Sequence, residues 1–333
     1  MLFRSDLRGG RSVRVGLKDQ NGQKVSNPAD LNQARNELYN RVNKMGVAEV
    51  SIRIEGNNII LDFPSSQNFS AKELIKASAM HFHIVNEKFG AHNPELAADV
   101  NAFLQGVWNE ATVTNRQDQD SLQEIAWQHL TGGVEDEHNP RPRSPQAKNL
   151  YQAGLRLANP NKSQSSHSFN DSTSMIARMT GESPSSWGGQ THPLLVCFQH
   201  YALEGSSLEN VQAQYDSTDG HYLVFSVKNS YSRKNQLGNP RNDFFQWTSQ
   251  FSKEGIKGSP KEAFSSGEGW RLAVLLNGKI ISAPTLNASL KNQARIVGRF
   301  SQKEVADLAA DLKAGSLSFT PIILSEENVS PEI

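Results

Sequence analysis

Val50-Ser51-Ile52-Arg53-Ile54-Glu55-Gly56-Asn57-Asn58-Ile59-Ile60-Leu61-Asp62-Phe63 is the stretch on which the fold turns. Val50, Ile52 and Ile54 alternate with other residues, and Ile59, Leu61 and Phe63 do so again. A period of two puts each apolar set on one face of a strand. Gly56, Asn57 and Asn58 supply the residue types a tight reversal needs, so the stretch reads as a hairpin. An antiparallel sheet of this kind buries one face and leaves the other to water. Something apolar must cover the buried face.

The flanking sequence supplies the cover. Upstream, Asn27 and Pro28 are an N-cap followed by proline at the first helical position. Leu31, Ala34, Leu38, Val42 and Met45 then recur at helical spacing, and Gly46 follows as a stop. Earlier still, Val13, Val15 and Leu17 alternate as a strand. Downstream, Ser70 and Glu73 make a capping box for a short helix, and Met80, Phe82 and Ile84 alternate as another strand. The order is strand, helix, strand, strand, helix, strand. It predicts an α+β fold with a ferredoxin-like βαββαβ base.

The middle of the chain changes character. Helical spacing marks Leu96 to Val107, Leu122 to Leu130, and a third helix opened by Ser144 and Pro145. Thr131 to Arg143 and Asn159 to Ser186 read as loops. From Pro193 strands return. Asp219-Gly220 and Asn277-Gly278 are hairpin turns, and Arg295 to Phe300 is a strand. Ser301 and Glu304 cap a helix carrying Val305, Leu308, Ala309 and Leu312. Gly315 ends it, and Ser316 to Leu324 is a final strand.

Composition removes several classes of function. The 333 residues carry 34 Lys plus Arg against 34 Asp plus Glu. A net charge of zero gives no basic footprint for nucleic acid and no electrostatic membrane anchor. One cysteine, Cys197 in an apolar run, makes neither a disulfide nor a multi-cysteine zinc site. No stretch reaches the apolar length of a membrane helix. The phosphate loop, dinucleotide, zinc-protease and serine-hydrolase signatures are all missing, so the chain is read as no enzyme, with no cofactor.

Weaker signals have plain structural readings. His81 and His83 share one face of a strand and lack a third zinc ligand, so they are expected as a solvent-facing pair. Gly188-Gly189-Gln190 matches the tripeptide of peptide release factors but reads as a loop. Asp216 and Asp219 read as turn residues and not calcium ligands. The five tryptophans, Trp108, Trp127, Trp187, Trp247 and Trp270, read first as core.

Three stretches in one order resemble the SecD family of protein-export subunits. Asp6-Leu7-Arg8-Gly9-Gly10 is similar to the motif that follows that family's first membrane helix. Asn40 to Glu49, containing Gly46, is the second. The third runs from Leu272 to Pro284, Ala294 to Phe300 and Val305 to Leu317, with Gly278 and Gly315 inside it. The motif residues are structural: the glycines permit turns or close approach, and none is a nucleophile or an acid. The chain departs from the family at Ser5, where an apolar residue is usual, and in residues 91–190, which are longer and more helical than expected. With Met1 to Arg4 too short for a membrane helix, it reads as an excised domain.

The resemblance implies a base at 1–89 plus 316–333 and an inserted α+β head at 90–315, with a helical, loop-rich insertion at about 91–190. Glycines at the two crossings, Gly90 and Gly315, suggest a hinge. It also implies membrane anchorage in a longer protein at the periplasmic face of the bacterial inner membrane. The partners would be unfolded preprotein, SecF and the SecYEG channel. The function would be assistance to translocation driven by the proton-motive force, in which the family's proton-carrying groups lie in membrane helices. Two rivals are a porter-like domain of an RND-type efflux transporter, which predicts a deep polar pocket, and a hydrolase with a site in 91–190.

Overall fold

The hairpin forms as read. Strands β2 (Ser51–Glu55) and β3 (Asn58–Pro64) flank a two-residue turn at Gly56 and Asn57, with Gly56 at φ 61°. They join β1 (Gly10–Lys18) and β13 (Thr320–Val329) in an antiparallel sheet of order β13-β1-β3-β2. The computed structural model describes residues 9–19, 23–44, 49–64, 80–162, 172–231, 238–291, 293–313, 317 and 319–329. Helix α1 (Pro28–Lys44) covers one face of the sheet. Leu31, Ala34, Leu38 and Val42 pack on Val13, Val15, Leu17, Ile59, Leu61 and Phe63. The opposite face is polar: Ser12 donates to Asp62 at 2.7 Å, Arg14 pairs with Glu55 at 2.8 Å, and Arg53 pairs with Asp62.

The expected capping box at Ser70 and Glu73 lies outside the described residues. The strand expected to close the base does not do so. β4 (Met80–Ile84) lies inside a second, six-stranded sheet of order β6-β5-β11-β10-β4-β7. Its place beside β1 is taken by β13 from the other end of the chain. The reason is burial. β1 needs a neighbour with one wet face, and β13 ends in Ser325, Glu326, Glu327 and Asn328. Of β4, Met80, Phe82, His83 and Ile84 are all buried, which suits a strand covered on both sides. The final strand also runs to Val329, past the predicted Leu324, because backbone pairing with β1 carries its polar half.

The second sheet comprises β4, β5 (Ser174–Met179), β6 (Leu194–Phe198), β7 (Leu203–Glu204), β10 (Leu272–Leu276) and β11 (Lys279–Ser282). Its one parallel pair is β11 with β5. It curls back on itself. Cys197 of β6 bridges Val85 just past β4, and the Asn86 amide donates to the Val196 carbonyl at 2.9 Å. The inside of the curl is lined by Val85, Met175, Ala177, Leu195, Cys197, Ala273, Leu275 and Ile280.

Two layers cover the outside. On one flank helices α2 (Ala97–Val113), α3 (Gln119–Thr131) and α4 (Pro145–Gln152) enclose Phe103, Leu104, Val107, Leu122, Ile125, Leu130 and Leu150 against Ile176, Leu194 and Val196. Asp118 caps α3 at 3.0 Å and Ser144 caps α4 at 3.0 Å. On the other flank a third sheet, β12-β9-β8, joins the core. It is built from β8 (Leu208–Asp216), β9 (Gly220–Val227) and β12 (Gln293–Phe300). With α5 (Pro240–Phe251), α6 (Lys253–Ile256) and α7 (Gln302–Lys313) it buries Phe82, Ile84, Phe225, Phe244, Trp247 and Trp270. The capping box at α7 forms as read: Ser301 N–H donates to Glu304 at 2.7 Å, and Glu304 N–H to Ser301 Oγ at 3.2 Å.

Candidate functional site

The curled sheet has an apolar inside and a polar mouth, and β4 supplies both. Phe82 and Ile84 face the aromatic core, so the alternation turns His81, His83 and Val85 the other way. In register His81 stands opposite Leu275 and His83 opposite Ala273, two residues of the lining. On the other side His81 pairs with Glu204 of β7. The ring of Tyr201 lies 5.1 Å from His81 and 6.3 Å from His83.

The two histidines are not the expected solvent-facing pair. His83 is 6% exposed, because residues 199–204 cross over the strand and the Ala202 amide donates to the Phe82 carbonyl at 2.6 Å. His83 Nδ1 stands 2.9 Å from the Phe198 carbonyl. A carbonyl only accepts, so this nitrogen carries the proton. Burial holds His81 below the usual imidazole range, while the Glu204 carboxylate pulls the other way. Among the described residues no set of three or more His, Cys, Asp or Glu side chains could hold a metal ion. Burial pushes the Cys197 thiol up to about 12, which leaves it without thiolate character.

A buried ion pair closes the same region. Arg271 reaches Glu87 with two contacts, at 2.6 and 3.2 Å, and Glu87 is 2% exposed. Gly90 packs against this pair. A Cβ there would stand 2.4 Å from Glu87 Oε2, while its φ of −110° is open to any residue. Packing therefore selects this glycine.

The other motif residues are spread through the fold. Gly9 has φ 70°, and a Cβ at Gly10 would stand 2.4 Å from the Phe63 carbonyl, so β1 and β3 approach where a side chain cannot fit. Gly278, at φ 78° after Asn277 at 52°, turns β10 into β11. Asp6, Leu7, Arg8, Gly46 and Gly315 lie outside the described residues. Asp216 accepts from the Thr218 and Asp219 amides, and both aspartates pair with Arg295, the geometry of a turn. Gly188 and Gly189 take positive φ in a loop.

Sequence reasoning missed Arg41, Glu87 and Arg271. Arg41 is 2% exposed on α1. A signal was present, since it sits between Leu38 and Val42 on the helix's apolar stripe, where a charge demands a partner. Glu87 and Arg271 carried no such signal: their pairing spans 184 positions of sequence.

The family matches take in both chain segments that meet at this site, with His81, His83 and Glu87 in one and Arg271 in the other. A family model described as "Protein translocase subunit SecDF, P1 domain, N-terminal" matches residues 31–87, and one described as "SecDF, P1 head subdomain" matches 242–319. The protein translocase subunit SecD of Magnetococcus marinus is 29% identical over 147 residues, 44% of this chain and 23% of that protein. That of Aquifex aeolicus is 31% identical over 111 residues, 32% of this chain and 20% of that protein. That of Rhodobacter capsulatus is 44% identical over 62 residues, 18% of this chain and 11% of that protein. The chain thus matches less than a quarter of each of these relatives.

Two solved structures share a loose likeness. SecDF in a super-membrane-facing form covers 98% of this chain, which covers 31% of it, at 18% identity and a TM-score of 0.45. A structure of "a membrane component SecDF that enhances protein export" covers 94% of this chain, which covers 98% of it, at 19% identity and a TM-score of 0.43. Among the described residues no helix is long and apolar enough to cross a membrane. Two matched segments in one order, with SecD relatives that share them, make this chain similar to the P1 domain of the SecD and SecDF proteins.

Proposed function

We propose that the chain is the extracytoplasmic domain of a SecD-type accessory subunit of the Sec export machinery. It binds emerging preprotein and aids translocation driven by the proton-motive force, by binding and not by catalysis. The observation that carries this reading is the position of the two P1 segments, 31–87 and 242–319, on either side of a long insertion. In the longer protein the domain is anchored in the bacterial inner membrane, faces the periplasm, and works beside SecF and SecYEG.

Within it we propose a ferredoxin-like base, at 1–89 with 316–333, and an inserted head at 90–315. The order β13-β1-β3-β2 supports the base, because the last strand of the chain lies against the first. β4 and Glu87 are the part of 1–89 that sits with the second sheet instead. A hinge at Gly90 and Gly315 would let the head swing. An unfolded client would be held weakly, through apolar side chains and strand addition at an edge such as β8 or β12. The efflux-porter alternative is less favoured, since both family segments are SecDF segments.

The test is site-specific photo-crosslinking in the full-length protein, with a signal-bearing precursor stalled in transit. Crosslinks from head positions to the precursor are expected. Their absence at every head position sinks the binding reading. A disulfide locking base to head is expected to stop export, and unchanged export rejects the hinge.

A further inference from the structure

The third sheet ends at an edge that nothing guards. Its order β12-β9-β8 leaves β8 without a neighbouring strand on one side. Among the described residues, no backbone group of 209–216 bonds to the backbone of any strand but β9. A bulge at Asn210, where φ is 52°, shifts the register between Glu209 and Gln212. Past it, residues 212–216 run in unbroken pairing with β9. Gln212, Ala213, Gln214 and Tyr215 are all exposed, Tyr215 at 65%. A strand lying on a core hides every second residue. Ala213 stands opposite the buried Leu223, so Ala213 and Tyr215 are on the core-facing side and open all the same. The stretch therefore overhangs the core.

An open edge is a template for another strand, and folds blunt it with charge, proline, shortness or cover. The other edges of this chain do so. In the four-stranded sheet β2 carries Arg53 and Glu55, and β13 carries Pro321, Glu326 and Glu327. In the six-stranded sheet β7 is two residues long, and Val85 bridges β6 at Cys197. β12 carries Arg295 and Arg299, and Ser282 Oγ donates to its Val297 carbonyl at 2.7 Å. Residues 212–215 have neither charge nor proline. Their longer side chains are held along the strand or against β9. The Tyr222 hydroxyl donates to Gln214 Oε1 at 3.2 Å, and Gln214 Nε2 to Gln212 Oε1 at 3.4 Å. The Tyr215 ring centre lies 4.8 Å from that of His221.

We propose that the free edge of β8 at residues 212–215 takes an extended segment of unfolded polypeptide as an added strand. This deepens the binding function proposed above, rests on it, and chooses β8 over β12. Backbone N–H and C=O groups of the segment continue the ladder, so its sequence matters little. Side chains on one of its faces lie beside Ala213 and Tyr215, where a methyl and an aromatic ring suit apolar groups. Those on the other face lie beside two uncharged amides, which repel neither sign of charge. A segment alternating apolar and polar residues fits both faces. The edge offers no cation for phosphate, which favours polypeptide over nucleic acid.

The test is fluorescence anisotropy on this chain with a short dye-labelled peptide alternating valine and threonine. Its twin has the same side chains but N-methylated amides at successive residues. The plain peptide is expected to bind about tenfold tighter or more, because the twin cannot donate to a ladder. Gln212→Lys with Gln214→Lys guards the edge and is expected to weaken the plain peptide about fivefold or more. An unchanged urea midpoint checks that this variant is folded; if it is not, the twin and the crosslinks still decide. Photo-reactive benzoylphenylalanine placed at Tyr215 is expected to crosslink the peptide. Placed at Tyr39, an exposed tyrosine on α1, it is expected not to.

Equal binding of peptide and twin, no loss in the folded lysine variant, or equal crosslinking from the two positions overturns the edge site. So does self-association of the chain that the lysine variant abolishes, with no peptide bound, which gives the edge to a second copy. If a stalled precursor still crosslinks elsewhere on the head, the edge site alone falls. If precursor crosslinks nowhere on the head, the binding function falls and the edge site with it.

Discussion

The four-stranded sheet and the six-stranded sheet solve the same problem in opposite ways. The first covers one face with α1 and leaves the other to a lattice of Ser12, Arg14, Arg53, Glu55 and Asp62. The second covers its outside with helices and a third sheet and closes its inside by curling. A one-sided sheet draws its stability from one apolar stripe, and its wet-face ion pairs add little. A two-sided sheet buries both faces over most of its length, so a charge or ring nitrogen in its interior needs a partner. Glu87, Arg271, His83 and His192 are that second kind of residue.

The contrast breaks first if cavities cost the same in both sheets. Phe82→Ala, in a strand covered on both faces and 0% exposed, is expected to lose about 4 kcal/mol in urea denaturation. Ile54→Ala, at the edge of the one-sided sheet, should lose clearly less. Equal losses would show that the two sheets are equally constrained.

Next is the buried pair. Arg271→Ala leaves the Glu87 carboxylate buried and unpaired, and is expected to cost about 3–5 kcal/mol. Replacing both partners together by apolar residues should recover much of that. A double variant no more stable than Arg271→Ala would mean the pair does more than neutralise itself.

The third difference is in response to acid. Burial lowers His192 to about 4 from an ordinary value of 6.5. A lowered histidine takes up its proton more readily in the unfolded chain, so its contribution is complete above about pH 6.5 and is lost as pH falls toward 4. The full loss is about 3 kcal/mol. On the one-sided sheet Glu55 is lowered from 4.5 by its hydrogen bond to Arg14, so its contribution is lost only at lower pH. Melting curves between pH 7 and pH 4.5 should therefore report the second sheet, and His192→Gln should flatten them. Unchanged pH dependence in that variant would assign the acid sensitivity elsewhere.

The smallest effect belongs to the wet face. Arg14→Ala, at an exposed pair with Glu55, is expected to cost under about 1 kcal/mol and to matter less in high salt. A larger, salt-independent loss would mean that Arg14 acts through its stem over buried Ile60, its cross-strand neighbour.

These differences follow what could be read along the chain. Alternation at Val13, Val15 and Leu17 and at Ile59, Leu61 and Phe63 named the one-sided sheet, since one wet face writes polar residues at every second position. The caps at Ser144 and Ser301 and the turn at Asn277 and Gly278 were equally legible, because each rests on residues next to one another. Strand β4 was legible as a strand but not as a member of the right sheet. With both faces buried, its two polar residues, His81 and His83, do not mark an outward face, and they looked wet only because they are polar.

The sequence by itself determined the local elements, the family motifs and the absence of the common catalytic signatures, because these depend on neighbours within a few positions. Only the tertiary structure decided that β13 lies against β1 and that Arg271 meets Glu87. Those contacts join residues far apart in the chain. Their energies come from burial and pairing, which exist only once the chain has closed around them.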